Sequence, residues 1–336
     1  MRRALLSICF LLSCLGIARG KALHVYFVDA EGGQATLIVA PSGESLLIDT
    51  GWPDFEGRDA KRIVAAARAA GVKRLDYVLV THYHMDHVGG VPQLAEKIPV
   101  GTFIDHGPSV ESGEREEALL AAYRPVVAKA RHLVVKPGDR IPVAGIEVEV
   151  LAAAGHTLSS PLPGAGGPNP LCTEARPKQE DKSENAQSVG ILLTYGKFRM
   201  IDLGDLTWNK ELELACPANR LGQVDLYMST HHGSSLSGPA AMVHALHPRV
   251  AVMNNGARKG GDASAWQIIH SSPGLEDIWQ LHCAVEAGEK NNTSEPFIAN
   301  LDEQCKGFAV NLTAEADGSF SVTNTRNGFA KRYNAR

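Results

Sequence analysis

Apolar positions along this chain fall into two rhythms. Near the start, the runs at 23–28, 35–40 and 45–49 are short, dense in Leu, Ile and Val, and separated by Gly-bearing turns, which predicts three strands. From 59 to 70 the apolar residues Ile63, Val64, Ala67 and Ala70 recur at helical spacing, and Gly71 supplies a C-terminal stop. A strand at 75–80 follows, then a second helix over 114–130 and short strands near 132–135 and 145–151. Further strands are predicted at 188–195, 198–202, 224–229 and 249–253, with helices at about 238–246 and 263–270. After Ser294 the tail reads as a hairpin, with strands at 308–312 and 319–323 around Asp317-Gly318. Strands and helices interleaved in two successive halves predict an α+β fold.

One stretch follows neither rhythm. Between Thr157 and Glu184 the chain gathers Pro161, Pro163, Gly164, Gly166, Gly167, Pro168, Pro170 and Pro177. A loop of this length inside a compact domain is usually a functional cover or an unstructured insertion. Both readings stay open here, within a single domain spanning 21–336.

The densest chemistry directly follows the apolar run 75–80. Thr81-His82-Tyr83-His84-Met85-Asp86-His87-Val88-Gly89-Gly90 places three imidazoles and a carboxylate within six residues, at the end of a predicted strand. Imidazole and carboxylate are preferred ligands of zinc and neighbouring divalent ions. The spacing lets His82 and His84 grip one ion while Asp86 and His87 turn toward a second. Two such ions side by side are the machinery of metal-assisted hydrolysis.

This His-x-His-x-Asp-His signature resembles the metal-binding motif of the metallo-β-lactamase superfamily. Other segments resemble superfamily motifs in the same order, from about residue 23 to 255. Ser45-Leu46-Leu47-Ile48-Asp49-Thr50-Gly51 is similar to its first motif, and Met200-Ile201-Asp202-Leu203-Gly204-Asp205-Leu206 to the segment with the metal-bridging aspartate. Asp225-Leu226-Tyr227-Met228-Ser229-Thr230-His231-His232-Gly233-Ser234 resembles the terminal-histidine motif of one branch, the hydrolase domain of ComEC/Rec2-type DNA-uptake proteins. Phe27-Val28-Asp29-Ala30-Glu31-Gly32-Gly33-Gln34-Ala35 resembles that branch's opening strand and Gly-rich turn.

The resemblance implies a four-layer αββα sandwich and two divalent ions, zinc first and manganese as the alternative. It implies a metal set of His82, His84, Asp86, His87, Asp205 and one of His231 and His232, with Asp86 also holding and deprotonating the nucleophile. Asp49 would orient a ligand histidine rather than touch metal. Two departures stand out. The third histidine expected before the strand at 188–195 is missing, although Asn185 and Ser188 fit the ComEC-like pattern there. The first ion would then have fewer protein ligands, or borrow Glu184 or the more distant His156. The channel that accompanies true ComEC hydrolase domains is also missing. Beyond the motifs, His106, which follows a predicted strand at Phe103-Ile104-Asp105, and Trp52 are candidates for the substrate pocket. The function expected is a metal-dependent hydrolase, phosphodiesterase-like first. A hydrolase of a small ester, lactone or β-lactam, or a non-catalytic metal-containing binding protein, are the alternatives.

Charge bears on the substrate. The 336 residues carry a net charge of -4, and without the first twenty, which hold Arg2, Arg3 and Arg19, 30 basic residues face 37 acidic ones. The strongly basic footprint of a nucleic-acid binder is missing. Those first twenty read as an export signal: Arg2 and Arg3, the apolar run from Ala4 to Ile17, and Ala18-Arg19-Gly20 as a cleavage site. This predicts a secreted or periplasmic protein with no membrane span in its mature chain; Leu12-Ser13-Cys14 offers lipoprotein anchoring as a weaker alternative. Cysteine usage agrees with export. Outside the signal lie Cys172, Cys216, Cys283 and Cys305, for which the preferred pairing is Cys172–Cys216 and Cys283–Cys305.

Overall fold

A computed structural model describes residues 21–336. The export signal and the Cys14 anchoring site lie outside the described residues. The strands in chain order are β1 Leu23–Phe27, β2 Thr36–Val39, β3 Ser45–Ile48, β4 Leu75–Leu79, β5 Val100–Asp105, β6 Arg131–Val134, β7 Glu147–Ala153 and β8 Gly190–Tyr195. They continue as β9 Phe198–Asp202, β10 Leu226–Met228, β11 Val250–Met253, β12 Asp277–His282, β13 Ile298–Asn300, β14 Val310–Ala314, β15 Phe320–Asn324 and β16 Ala330–Tyr333. The α-helices are α1 Arg58–Ala69, α2 Met85–Val88, α3 Val91–Ala95, α4 Glu114–Val127, α5 Trp208–Ala215, α6 Ala240–Leu246 and α7 Ala263–His270.

Two nine-stranded sheets result. The first runs β16-β15-β14-β1-β2-β3-β4-β5-β6, and the second runs β13-β12-β11-β10-β9-β8-β7 and adds two-residue strands beside β7. Their inner faces share one core, in which Phe27, Ile38 and Leu46 from the first sheet join Val150, Met200 and Trp279 from the second. Val64, Ala67 and Leu94 of α1 and α3 cover the outer face of the first sheet, together with Tyr123 of α4. Leu214, Met242 and Ile269 of α5, α6 and α7 cover the second. The order is helix, sheet, sheet, helix, so the expected αββα sandwich is found. Each predicted strand and helix has a counterpart within a few residues. Missing from the sequence reading were the short helices α2 and α3, helix α5, and strands β12, β13 and β16.

Topology decides where chemistry can sit. Strands β3, β4, β5 and β6 are parallel, and so are β9 through β13. The loops leaving the C-terminal ends of β3, β4, β9, β10 and β11 therefore gather at one edge of the sandwich, where open α/β sheets commonly hold ligands.

One expectation is corrected. Cys172 and Cys216 are bonded, but Cys283 and Cys305 are free. The Cys305 thiol instead lies 3.1 Å from Asp29 Oδ2 and 3.4 Å from Glu31 Oε1, and burial with the Asp29 charge pushes it up to about 12. Most of the insertion lies on the outer helical layer, where Asn169 donates to the carbonyls of Ala215 and Ala241, Lys178 exchanges hydrogen bonds with Asn209, and the disulfide ties it to the end of α5; its last residue, Glu184, instead accepts from Tyr83 N.

Helix α5 also buries a carboxylate. Glu211 is fully buried and accepts from Thr230 Oγ1 at 2.8 Å and from Gly238 N at 2.5 Å. Burial outweighs these donors and raises it from 4.5 to about 8. A raised carboxyl pKa means the folded protein keeps a proton that the unfolded chain releases. The resulting stability is full below 4.5 and is lost as pH rises toward 8. With chelator present, the urea midpoint of Glu211→Gln relative to the parent is expected to improve as pH rises through that window. A constant offset would contradict the assignment.

Candidate metal centre

Buried carboxylates prepare the site before any metal enters the argument. Asp49, fully buried at the end of β3 with φ 58°, accepts from Thr81 N at 2.8 Å and from Thr81 Oγ1 at 2.7 Å. Its Oδ2 also lies 2.7 Å from His87 Nδ1. This pins the ring and leaves Nε2 pointing into the site. The one-turn helix α2 turns Asp86 and His87 inward together.

Three other strand ends meet that loop. Gly204, after β9, has φ 55°, and a Cβ there would sit 2.9 Å from Thr81 Cβ, so the turn presenting Asp205 has no room for a side chain. After β10, His231 and His232 both adopt φ 57°, a conformation that non-glycine residues rarely take and that is concentrated at functional sites. Behind them, Gln34 donates to Asp202 Oδ2 at 2.8 Å and Asn254 donates to Gln34 at 2.9 Å, joining both sheets. Burial pushes Asp202 up to about 6.

Asp86, His87, Asp205 and His232 bring one ligand atom each within 4.8 Å of one another, and all four are buried. His87 Nε2 lies 3.2 Å from His232 Nε2, 3.3 Å from Asp86 Oδ2 and 3.4 Å from Asp205 Oδ2. His232 Nε2 lies 3.2 Å from Asp86 Oδ2 and 3.4 Å from Asp205 Oδ1. Ligand bonds of about 2.0–2.1 Å in a tetrahedron give edges of about 3.3 Å. These residues therefore fit a divalent ion in spacing as well as in donor type. His82 Nε2, buried without a hydrogen-bond partner, is a further donor left facing the site.

Electrostatics agree. Burial would lower His87, but Asp205, Asp86 and Asp49 hold it well above its ordinary value. Burial would raise Asp86 and Asp205, but His87 and His232 respectively lead the groups that keep them well below theirs. Burial lowers His82, and the neighbouring His87 adds to that effect. A metal entering the cage must displace the His87 proton, so uptake should weaken as pH falls.

The remaining expected residues divide. The His82 ring lies tilted against that of His87 with centroids 4.1 Å apart, and His84 lies edge-on to His82 at 4.7 Å, outside the four-atom cage. His231 Nε2 lies 3.4 Å from Asp205 Oδ2, so both members of the histidine pair approach Asp205. Asn185 Oδ1 and Ser188 Oγ are buried without partners, and Val189 N, beside Ser188, donates to the Thr81 carbonyl at 2.8 Å. Trp52 lines a cleft of ≈ 210 Å³ with His84, Asp86, Glu111 and Arg115. Two candidates are corrected. His156 is exposed on a hairpin beside β7, because the turn at Ala154-Gly155 folds it back onto its own strand. His106 is buried rather than pocket-lining, with Nε2 2.9 Å from Glu184 Oε2. Glu184 is not available to the cage either, since its carboxylate also accepts from Tyr83 N, Ser109 Oγ and Val110 N.

Sequence reasoning missed Lys259, whose Nζ contacts Asp86 Oδ2, donates to the Gly32 carbonyl at 2.7 Å and lies 5.1 Å from the Trp52 ring centre. It missed Glu111 too. No motif marks either residue.

A family model described as the metallo-beta-lactamase superfamily matches residues 28–168, and the fold is the metallo-beta-lactamase fold. Among curated proteins, the chain is similar to a hydroxyacylglutathione hydrolase of Rhodopseudomonas palustris. That relative is 32% identical over 104 residues, 31% of this chain and 34% of the relative. A hydroxyacylglutathione hydrolase of Klebsiella pneumoniae subsp. pneumoniae is 36% identical over 81 residues, 24% of this chain and 26% of the relative. The chain thus spans about a third or less of the curated relatives it matches. Among solved structures, it is similar to the metallo-beta-lactamase fold protein YhfI of Bacillus subtilis. That match has a TM-score of 0.47 and 10% identity, and covers 77% of this chain and 96% of the other.

The geometry predicts the effects of substitution. Asp205→Ala and His232→Ala should each reduce the metal retained after dialysis, read by elemental analysis. Asp49→Ala removes no donor from the cage but frees the His87 ring, and should weaken metal affinity about 10–100-fold. Full metal retention in both Asp205→Ala and His232→Ala would reject the cage.

Proposed function

We infer that this protein is a metal-dependent hydrolase acting on a small-molecule substrate. The observation that carries the reading is the buried cage of Asp86, His87, Asp205 and His232 at the convergent ends of parallel strands. His82, His84 and His231, beside Asp205, would hold an adjoining second ion. Divalent ions bound there supply Lewis acidity and lower the pKa of water toward neutrality. Zinc fits the imidazole-rich donor set, and manganese is the alternative.

The chain's own residues do the rest. Asp86 faces the cleft with one oxygen and takes the proton of the attacking water. The water oxygen bonds to the substrate's electrophilic centre, the bond to the leaving group breaks, and that proton passes to the leaving group. Trp52 lines the cleft beside Asp86 and positions the substrate, while Lys259 contacts Asp86 and lies 5.1 Å from the Trp52 ring centre.

Among substrates, an ester or thioester of a small acid is the first reading. Its support is the similarity to hydrolases named for hydroxyacylglutathione, together with the small cleft and the acidic chain. Phosphodiester cleavage is the second, favoured by the likeness of the segment from Asp225 to Ser234 to the ComEC-like motif. Export fits both readings, and the Cys172–Cys216 disulfide supports an oxidising compartment. Among the described residues no helix is long and apolar enough to cross a membrane.

The test is a panel of chromogenic thioester, ester, lactone, β-lactam and phosphodiester substrates, assayed on metal-loaded and chelated protein. Thioester or ester turnover that chelation abolishes and added zinc or manganese restores is expected. Phosphodiester turnover alone would transfer the assignment to the second reading. No turnover with two ions bound would overturn the hydrolase reading in favour of a binding protein.

A further inference from the structure

The loop between β5 and α4 brings a carboxylate to the exposed side of the histidine loop. Glu111 Oε1 lies 3.3 Å from His84 Nε2. The same oxygen accepts from Glu184 N at 3.0 Å, and Glu111 N donates to Ser109 Oγ at 3.2 Å. Ser109 Oγ in turn donates to Glu184 Oε1 at 2.8 Å, and Glu184 Oε2 accepts from Tyr83 N at 3.1 Å, next to His84. The 83–84 backbone, the 109–111 turn and Glu184 thus form a closed circuit around one imidazole.

We propose that Glu111 is a positioning residue that fixes the ring and tautomer of His84, holding the proton on Nε2 and leaving Nδ1 as the free donor toward the second ion. This rests on the hydrolase reading above and deepens its metal site. The adjoining site lacks the usual third histidine, so it depends more heavily on how its two histidines are presented. His82 arrives pre-set, with Nδ1 3.1 Å from Thr81 Oγ1 and Nε2 buried and free. His84, with 31% of its side chain exposed, has no comparable packing and takes its orientation from Glu111. Direct coordination by Glu111 fits less well. Its Oε1 already accepts from Glu184 N and faces His84 Nε2. Glu184, which occupies the segment where the missing histidine would fall, contributes by anchoring this circuit.

Two measurements test the proposal. In metal-free protein, nitrogen-15 shifts of His84 should report the Nε2–H tautomer and shift toward a mixture in Glu111→Ala. In cobalt titrations, Glu111→Ala should lose about 10–100-fold in affinity at the weaker site only, and Glu111→Gln, which keeps an acceptor oxygen, should restore most of it. Unchanged affinity and tautomer in Glu111→Ala would overturn the proposal. So would a loss in Glu111→Gln equal to that in Glu111→Ala, because a ligating or purely charge-based role would then be at work. If the parent protein bound no metal, the hydrolase reading would fall, while the tautomer measurement would still decide what Glu111 does to His84.

Discussion

Two carboxylates, Asp86 and Asp205, are buried among imidazoles where strand ends of both sheets meet, and this crowding governs the rest of the molecule. Burying an ionised carboxylate costs several kcal/mol unless opposite charge compensates it. Here His87, His232 and the ammonium of Lys259 supply that charge within the protein. A divalent ion would supply more of it from the centre of the cage. The arrangement is costly to fold and strongly predisposed to take up a cation, and the strained φ of His231 and His232 adds to the cost.

The sandwich makes that crowding possible. One continuous inner core, with Trp279 fully buried against residues of both sheets, locks the sheets face to face. Because β3 and β4 run parallel in one sheet and β9, β10 and β11 in the other, their C-terminal loops arrive at a common edge. The Gln34–Asp202–Asn254 chain ties that edge across the sheets with buried hydrogen bonds. Rigid strand ends hold the donors more tightly than free loops would. The helical layers, with the disulfide-tied insertion outside α5 and α6, leave the edge open to solvent through the cleft beside Trp52.

Around the cage, orientation is set by groups that never touch the ion. Asp49 fixes His87, Thr81 sits against His82, Ser237 meets His231, and Glu111 meets His84. Each histidine of the site except His232 has one ring nitrogen engaged, so only the other is free as a donor. For His232, Nε2 enters the cage while Nδ1 is buried without a partner.

The amino-acid sequence alone determined the type and order of most elements and pointed to the chemistry at 82–87, because strand alternation, helical spacing and a dense ligand motif are local signals; the four-layer class followed only from the family resemblance. It also pointed to Asp205 and the histidine pair through motif order. It could not decide that both His231 and His232 face Asp205, that His156 turns away, that His106 is spent on Glu184, or that Cys283 and Cys305 stay apart. Nor could it point to Glu111 or Lys259, which carry no motif. Those outcomes depend on which loops meet across two sheets and in which direction each side chain leaves its backbone. Only the packed tertiary structure fixes such distances, since residues more than a hundred positions apart must come within hydrogen-bond reach.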